Sequence, residues 1–205
     1  MYGLKEKKER SLGVRLHIKG ERCDSPKCAM VRKPYPAGAH GQTRSRKGFS
    51  EFGLQLKEKQ KFKLSYGLDE RGLRRVFAAA SNSRGSSAMK LLELLERRLN
   101  SVVFQFGFAP SINSARQLIA HGHITVNGKV TRSPSFEVNV GDVVGIKPGS
   151  ESKEKIVSRR EALKKKEIPP WLELDKDKLQ GKVVSLPQDT KTPFEINLLV
   201  EALSK

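Results

Sequence analysis

Apolar residues fall three and four apart at Leu91, Leu95, Leu99, Val102 and Phe106, which predicts one helical stripe running up to Gly107. A second short helix follows. Ser111 suits its N-cap, Ile112, Ala115 and Ile119 share a face, and Gly122 accommodates a left-handed C-terminal residue. The period then changes to two. Ile124 and Val126 alternate with Thr125, Asn127-Gly128 supplies the positive φ angles of a type I′ turn, and Gly141-Asp142 leads into a strand from Val143 to Ile146. Residues 97–146 therefore read as two helices feeding a small hairpin unit.

Upstream, Phe52, Leu56, Phe62 and Tyr66 lie on one helical arc, with Lys57, Lys59, Lys61 and Lys63 mostly outside it and Leu54 and Leu64 off it. Asp69 caps a further helix that buries Leu73, Val76, Phe77 and Ala80 and displays Arg71, Arg74 and Arg75. The polar run Ser81 to Ser87 marks a boundary. Residues 151–168 are dense in charge and read as a solvated helix or linker, which Pro169-Pro170 ends. In the tail, Val183 to Leu186 is strand-like. Ile196 to Val200 is an apolar helix too small to stand alone, and the helices of residues 50–80 are its simplest partner.

Charge narrows the function. Lys and Arg total 40 against 22 acidic residues, a net +18, and the economical explanation is a polyanionic partner. Residues 1–48 carry thirteen basic and four acidic side chains with few, unpatterned apolar ones, so this segment is expected to order mainly against that partner. Within it, Lys33-Pro34-Tyr35-Pro36-Ala37-Gly38-Ala39-His40-Gly41 forms a strap, stiff and then permissive, suited to lying on phosphates. Cys23 and Cys28 flank a proline turn; tetrahedral zinc needs four ligands, the chain has no other cysteine, and His17 and His40, which could be recruited, lack the usual partner spacing, so free thiols are the favoured expectation over a zinc site. No apolar run approaches a membrane span, and the Lys/Glu-rich start lacks a signal-peptide core, so a soluble, cytoplasmic protein is expected. There is no phosphate-binding glycine loop and no cluster of acid, histidine and nucleophile. The expectation is a binding protein without catalysis or cofactor.

Ala115-Arg116-Gln117-Leu118, His121-Gly122-His123-Ile124, Val126-Asn127-Gly128, Pro134-Ser135 and Val140-Gly141-Asp142, at this spacing, resemble the RNA-binding module named after ribosomal protein S-four. The flanks are similar to the bacterial-type S-four family of small-subunit ribosomal proteins: Arg32 to Pro36 with Gly38 and His40-Gly41, Phe52 to Lys61, Tyr66-Gly67, Trp171-Leu172, and Glu195 to Glu201. The resemblance covers essentially the whole chain. It implies a structural component of the small ribosomal subunit that binds its rRNA first, nucleates assembly of the subunit body, and influences translational accuracy where mRNA enters. Its neighbours there would be ribosomal protein S-five and other small-subunit proteins. The alternative is a free regulator or ribosome-associated factor built on the same module. Zinc-binding relatives carry a second cysteine pair where this chain has Glu6 and Glu9, and Arg98-Leu99-Asn100 stands where relatives have Arg-Leu-Asp.

Pattern and resemblance together predict an α+β protein of two lobes. A basic extended segment spans residues 1–48. Residues 49–86 with 171–205 form a mainly helical domain, 87–150 an inserted α/β RNA-binding module, and 151–170 a charged linker. The expected rRNA contacts are Arg97, Arg98, Arg116, Gln117, His121, His123, Lys129 and Arg132 in the module and Lys57, Lys59 and Lys61 before it; the resemblance places mRNA contacts at Arg44, Arg46 and Lys47.

Overall fold

The computed structural model describes residues 5–43, 48–150, 163, 166–176, 178–188 and 194–204. The fold is α+β and divides into two compact units, Met1–Leu91 with Lys191–Lys205, and Leu92–Thr190. No helix among the described residues is long and apolar enough to cross a membrane.

The first unit opens with three short helices, α1 (Lys5–Leu12), α2 (Glu21–Asp24) and α3 (Ala29–Arg32). The sequence predicts an extended segment here, and the structure corrects it: Glu9, Ile18, Cys23 and Cys28 are all buried. Polar clasps replace the missing apolar area. Glu9 Oε1 accepts from the Leu16 and Ile18 amides at 3.0 and 3.2 Å. Arg10 donates from Nε to the Lys33 and Tyr35 carbonyls at 3.0 and 3.1 Å and covers the Tyr35 ring at 4.7 Å. One guanidinium thus ties the proline strap to α1. The strap also folds on itself so tightly that a Cβ on Gly41 would come within 1.9 Å of the Pro36 carbonyl oxygen.

Helices α4 (Glu51–Ser65) and α5 (Glu70–Ser81) begin at side-chain caps, Ser50 Oγ accepting from Gly53 N at 3.2 Å and Asp69 Oδ1 from Gly72 N at 2.7 Å. The predicted apolar arc of α4 is only half right. Phe62 and Tyr66 are buried, but Phe52 is 71% and Leu56 40% exposed, while Gln55 and Glu58 are 2% and 8% exposed. The reason is the partner. The last helix, α9 (Ile196–Ser204), packs on α4, and its Glu201 accepts from Gln55 Nε2 at 3.0 Å. Phe194 meets Phe62 edge-on at 5.3 Å, so the tail helix does return to the residue 50–80 helices.

Helix α6 (Ser87–Glu96) and helix α7 (Leu99–Gln105) share the predicted stripe, whose five residues are fully buried, but they are two helices and not one. Arg98 is extended at ψ 136° and bridges Glu137. Phe136 O takes the Leu99 amide at 2.8 Å, and the Val138 amide reaches Arg97 O at 3.0 Å. Segment 134–138 therefore captures backbone groups that a continuous helix would bond internally.

The second unit continues through α8 (Ile112–Ala120), β1 (Ile124–Val126), β2 (Lys129–Val130), β3 (Val143–Ile146), β4 (Leu172–Asp175) and β5 (Gln180–Val183). The strands form one antiparallel sheet in the order β2-β1-β3-β5-β4. Residues 171–190, assigned from sequence to the helical domain, belong instead to this unit: β5 pairs with β3, and Trp171, Leu172, Leu179 and Val183 join the core under the sheet. The Asn127-Gly128 turn has φ 49° and 77°, as the type I′ reading requires. Most of the predicted linker lies outside the described residues. Of it, Leu163 is buried in the second unit's core and Lys166 donates to Phe104 O at 2.5 Å.

Candidate nucleic-acid interface

Helix α8 and the β1–β2 hairpin build the surface on which most of the predicted module residues gather. Ser111 Oγ caps α8 by accepting from Ser114 N at 3.2 Å, which sets the helix so that Ala115 and Ile119 enter the core. Arg116 and Gln117 consequently face outward and are exposed. At the other end the His121 and His123 amides bond the Gln117 and Leu118 carbonyls, both at 3.0 Å, and Gly122 takes φ +74°. This turn lays the two imidazoles nearly parallel, with ring centres 6.3 Å apart and planes at 13°. His121 is exposed; His123 is half-buried, its Nδ1 3.2 Å from Ser150 Oγ.

The hairpin returns beside this helix end. A Cβ on Gly122 would lie 3.2 Å from Arg132 Nε and 3.4 Å from Val130 Cγ1, so Arg132 spans the glycine that closes α8. Lys129 stands exposed on β2, held there by the turn. Asn127 locks that turn to β3: its Nδ2 donates to Asp142 Oδ1 at 2.8 Å and its Oδ1 accepts from Val143 N at 2.9 Å. Two imidazoles, an arginine and a lysine on rigid backbone, with Arg116 and Gln117 on the same helix, can grip phosphate oxygens and donate to hydroxyls.

Arg97 and Arg98 do not join this surface. The Arg97 guanidinium is occupied by Glu93 Oε1 at 3.1 Å, Val138 O at 3.0 Å and Asn139 Oδ1 at 2.7 Å. It latches segment 137–139 to α6, and Arg98 contributes its backbone to the same junction. The Glu93–Arg97 spacing of four is a local sequence signal for part of this, whereas no local pattern reveals Val138 and Asn139.

The lysine row on α4 is also engaged within the protein. Lys59 and Lys63 both donate to Glu70, at 3.1 and 2.8 Å, and Lys61 pairs with Glu58. The Glu70 carboxyl is held down at about 2, chiefly by the Lys63 hydrogen bond, against opposing burial and with help from Lys59. Lys57 lies over the Phe49 ring at 3.2 Å, where burial first, and then the charge of Lys61, push its pKa down. Arg44, Arg46 and Lys47 lie outside the described residues.

Burial raises the Cys23 thiol above its ordinary range, with Glu9 and Cys28 adding to the effect against a backbone hydrogen bond at Lys19. Glu6 and Glu9 are each held by partners within the first unit. Burial alone would raise the Glu6 carboxyl, but Arg22 at 2.6 Å and Lys19 at 3.5 Å lower it, while Glu9 bonds two amides. Among the described residues no group of three or more His, Cys, Asp or Glu is placed to hold a metal ion.

The sequence matches two family models over adjoining stretches: residues 1–96 match the Ribosomal protein S4/S9 N-terminal domain and residues 97–144 the S4 domain. Over 195 residues the chain is 46% identical to the small ribosomal subunit protein uS4 of Caldicellulosiruptor saccharolyticus, covering 94% of this chain and 93% of that one. The uS4 protein of Thermus thermophilus is 45% identical with the same coverage, and that of Acetivibrio thermocellus 46%.

Proposed function

We propose, from the premise that this chain belongs to the uS4 family of small ribosomal subunit proteins, that it binds small-subunit rRNA through the α8–hairpin surface and helps to organise the subunit body. The family is structural, not enzymatic. The observation that carries the RNA reading is the meeting of His121, His123 and Arg132 at the C-terminal end of α8, with Arg116 and Gln117 exposed on that helix and Lys129 exposed on the hairpin, in a chain of net charge +18. Phosphate contacts supply the affinity, and RNA shape supplies the selectivity, because the A-form major groove is too deep and narrow for side chains to read.

In the same reading, assembly of the subunit body begins on this protein. Arg44, Arg46 and Lys47 touch mRNA where it enters, ribosomal protein S-five is a neighbour, and decoding accuracy depends on that contact. The alternative, a free regulator carrying the module, is less well supported, because the match extends through residues 1–96 and does not stop at the module. The test is a salt titration of the purified protein against a small-subunit rRNA fragment and against an unrelated duplex of equal length. Tighter binding to the fragment with a steep loss of affinity from about 50 to 200 mM salt is expected. Equal affinity for both RNAs would overturn the reading.

A further inference from the structure

Three of the four lysines on α4 have their amines occupied by carboxylates. Lys59 and Lys63 both donate to Glu70, and Lys61 pairs with Glu58. Lys57 differs. The positions three and four away from it on the helix are Gly53, Leu54, Gln60 and Lys61, so the local sequence supplies no acid. The fold supplies none either, since among the described residues no carboxylate comes within ion-pair distance of its amine. That amine lies instead 3.2 Å from the centre of the Phe49 ring, with Lys61 one helical turn along. Lys57 is half-buried in this position.

A covering apolar group and a neighbouring cation are the two conditions under which a lysine amine becomes a nucleophile near neutral pH. We propose that Lys57 is an acylation site, taking a small acyl group on its amine from an acyl phosphate. Both conditions are met there: burial first, and then the charge of Lys61, lower the pKa of the amine. The ring face attracts an ammonium, but Phe49 is 61% exposed, and in water that attraction is modest. On the other three lysines a donor would have to displace a carboxylate. The uncharged amine adds to the acyl carbon, the bond from that carbon to the phosphate oxygen breaks, and the departing phosphate takes up the proton released from nitrogen. No oxidant or metal is needed. The donor follows from charge and size. An acyl phosphate is anionic, so a chain of net charge +18 concentrates it, and it is small enough to reach an amine that a ring partly covers. The product is a neutral amide, which removes one positive charge from α4. Nothing in this step depends on RNA.

The experiment incubates the full chain with acetyl phosphate and follows acetylation of each lysine over time by peptide mass spectrometry, across a pH series, for the parent and for Phe49→Ala. Lys129 and Lys147, both exposed, serve as internal references. In the parent, Lys57 is expected to react at least about threefold faster than either near neutral pH, with a rate that rises at lower pH than theirs. Phe49→Ala removes an exposed side chain, unchanged thermal melting verifies the fold, and Lys57 is expected to fall back to the reference rate. Added salt is expected to slow the reaction, because the donor is anionic. Lys57 reacting no faster than the references would overturn the proposal. So would a lead that is the same at every pH, since access alone would then account for it, or a lead that Phe49→Ala leaves intact. A rate independent of salt would overturn the choice of an anionic donor. If the variant melts lower than the parent, the parent's pH series decides by itself.

Discussion

At Glu70 a single carboxylate on α5 receives two ammonium groups from α4, Lys59 and Lys63, one helical turn apart. Its ordinary value is 4.5 and its folded value about 2, so the folded chain binds fewer protons here than the unfolded chain between those limits. The stabilisation is fully present above pH 4.5 and is lost as pH falls through 2. Because the side chain is 39% exposed, water screens the pair and holds the contribution to about 1 kcal/mol. Glu70→Gln should therefore lower the unfolding free energy at pH 7 by about that amount, and the gap from the parent should close as the melts are repeated toward pH 2. A gap independent of pH would mean that Glu70 acts through packing. The pairing was not legible in the sequence. Lys59 and Lys63 read as free cations in a row of four lysines, because their counter-ion Glu70 starts the next helix and only the tertiary fold brings it back. The Arg97 latch is hidden in the same way: its partners Val138 and Asn139 lie about forty residues along the chain.

Elements were legible where the signal is local. The caps at Asp69 and Ser111, the Gly122 helix end and the Asn127-Gly128 turn each depend on residues a few positions apart, and each stands where the pattern put it. Boundaries set by distant chain were not. The α6–α7 break arises from segment 134–138, and the polar burial of Gln55 on α4 from Glu201. Strand β5 is the strongest case. Its Gly181 is the residue that lets the strand lie on α7's end: a Cβ there would fall 2.2–2.7 Å from ring atoms of the fully buried Phe106. A glycine inside a strand is a sequence signal for such close approach. Gly181→Ala should destabilise the second unit by about 3 kcal/mol, at the upper end of ordinary overpacking costs. Urea unfolding followed by amide resonances of β1 and β3 would show the midpoint falling, whereas an unchanged midpoint would mean that Phe106 has room to move.

Among the described residues, Glu6, Glu58, Glu70 and Glu93 pair with cations of the α1 region, α4 and the α6 latch, whereas Arg71 and Arg75 on α5 and Arg116, Lys129 and Arg132 on and beside α8 are exposed. A charge count alone cannot reveal that partition. The return of α9 to α4 has a further consequence, one of timing. Phe194 reaches Phe62 only after 132 intervening steps of chain growth, roughly ten seconds at about 5–20 residues per second. The second unit is complete by Thr190, before Leu199 of α9 is available to fill its place in the first. The part of the chain synthesised first thus receives its closing helix only after the whole chain of the second unit has been made. A chain stopped after residue 190 should keep slow amide exchange in β1, β3 and β5 and lose it in α4. Retained protection in α4 would show that the helices close without the tail.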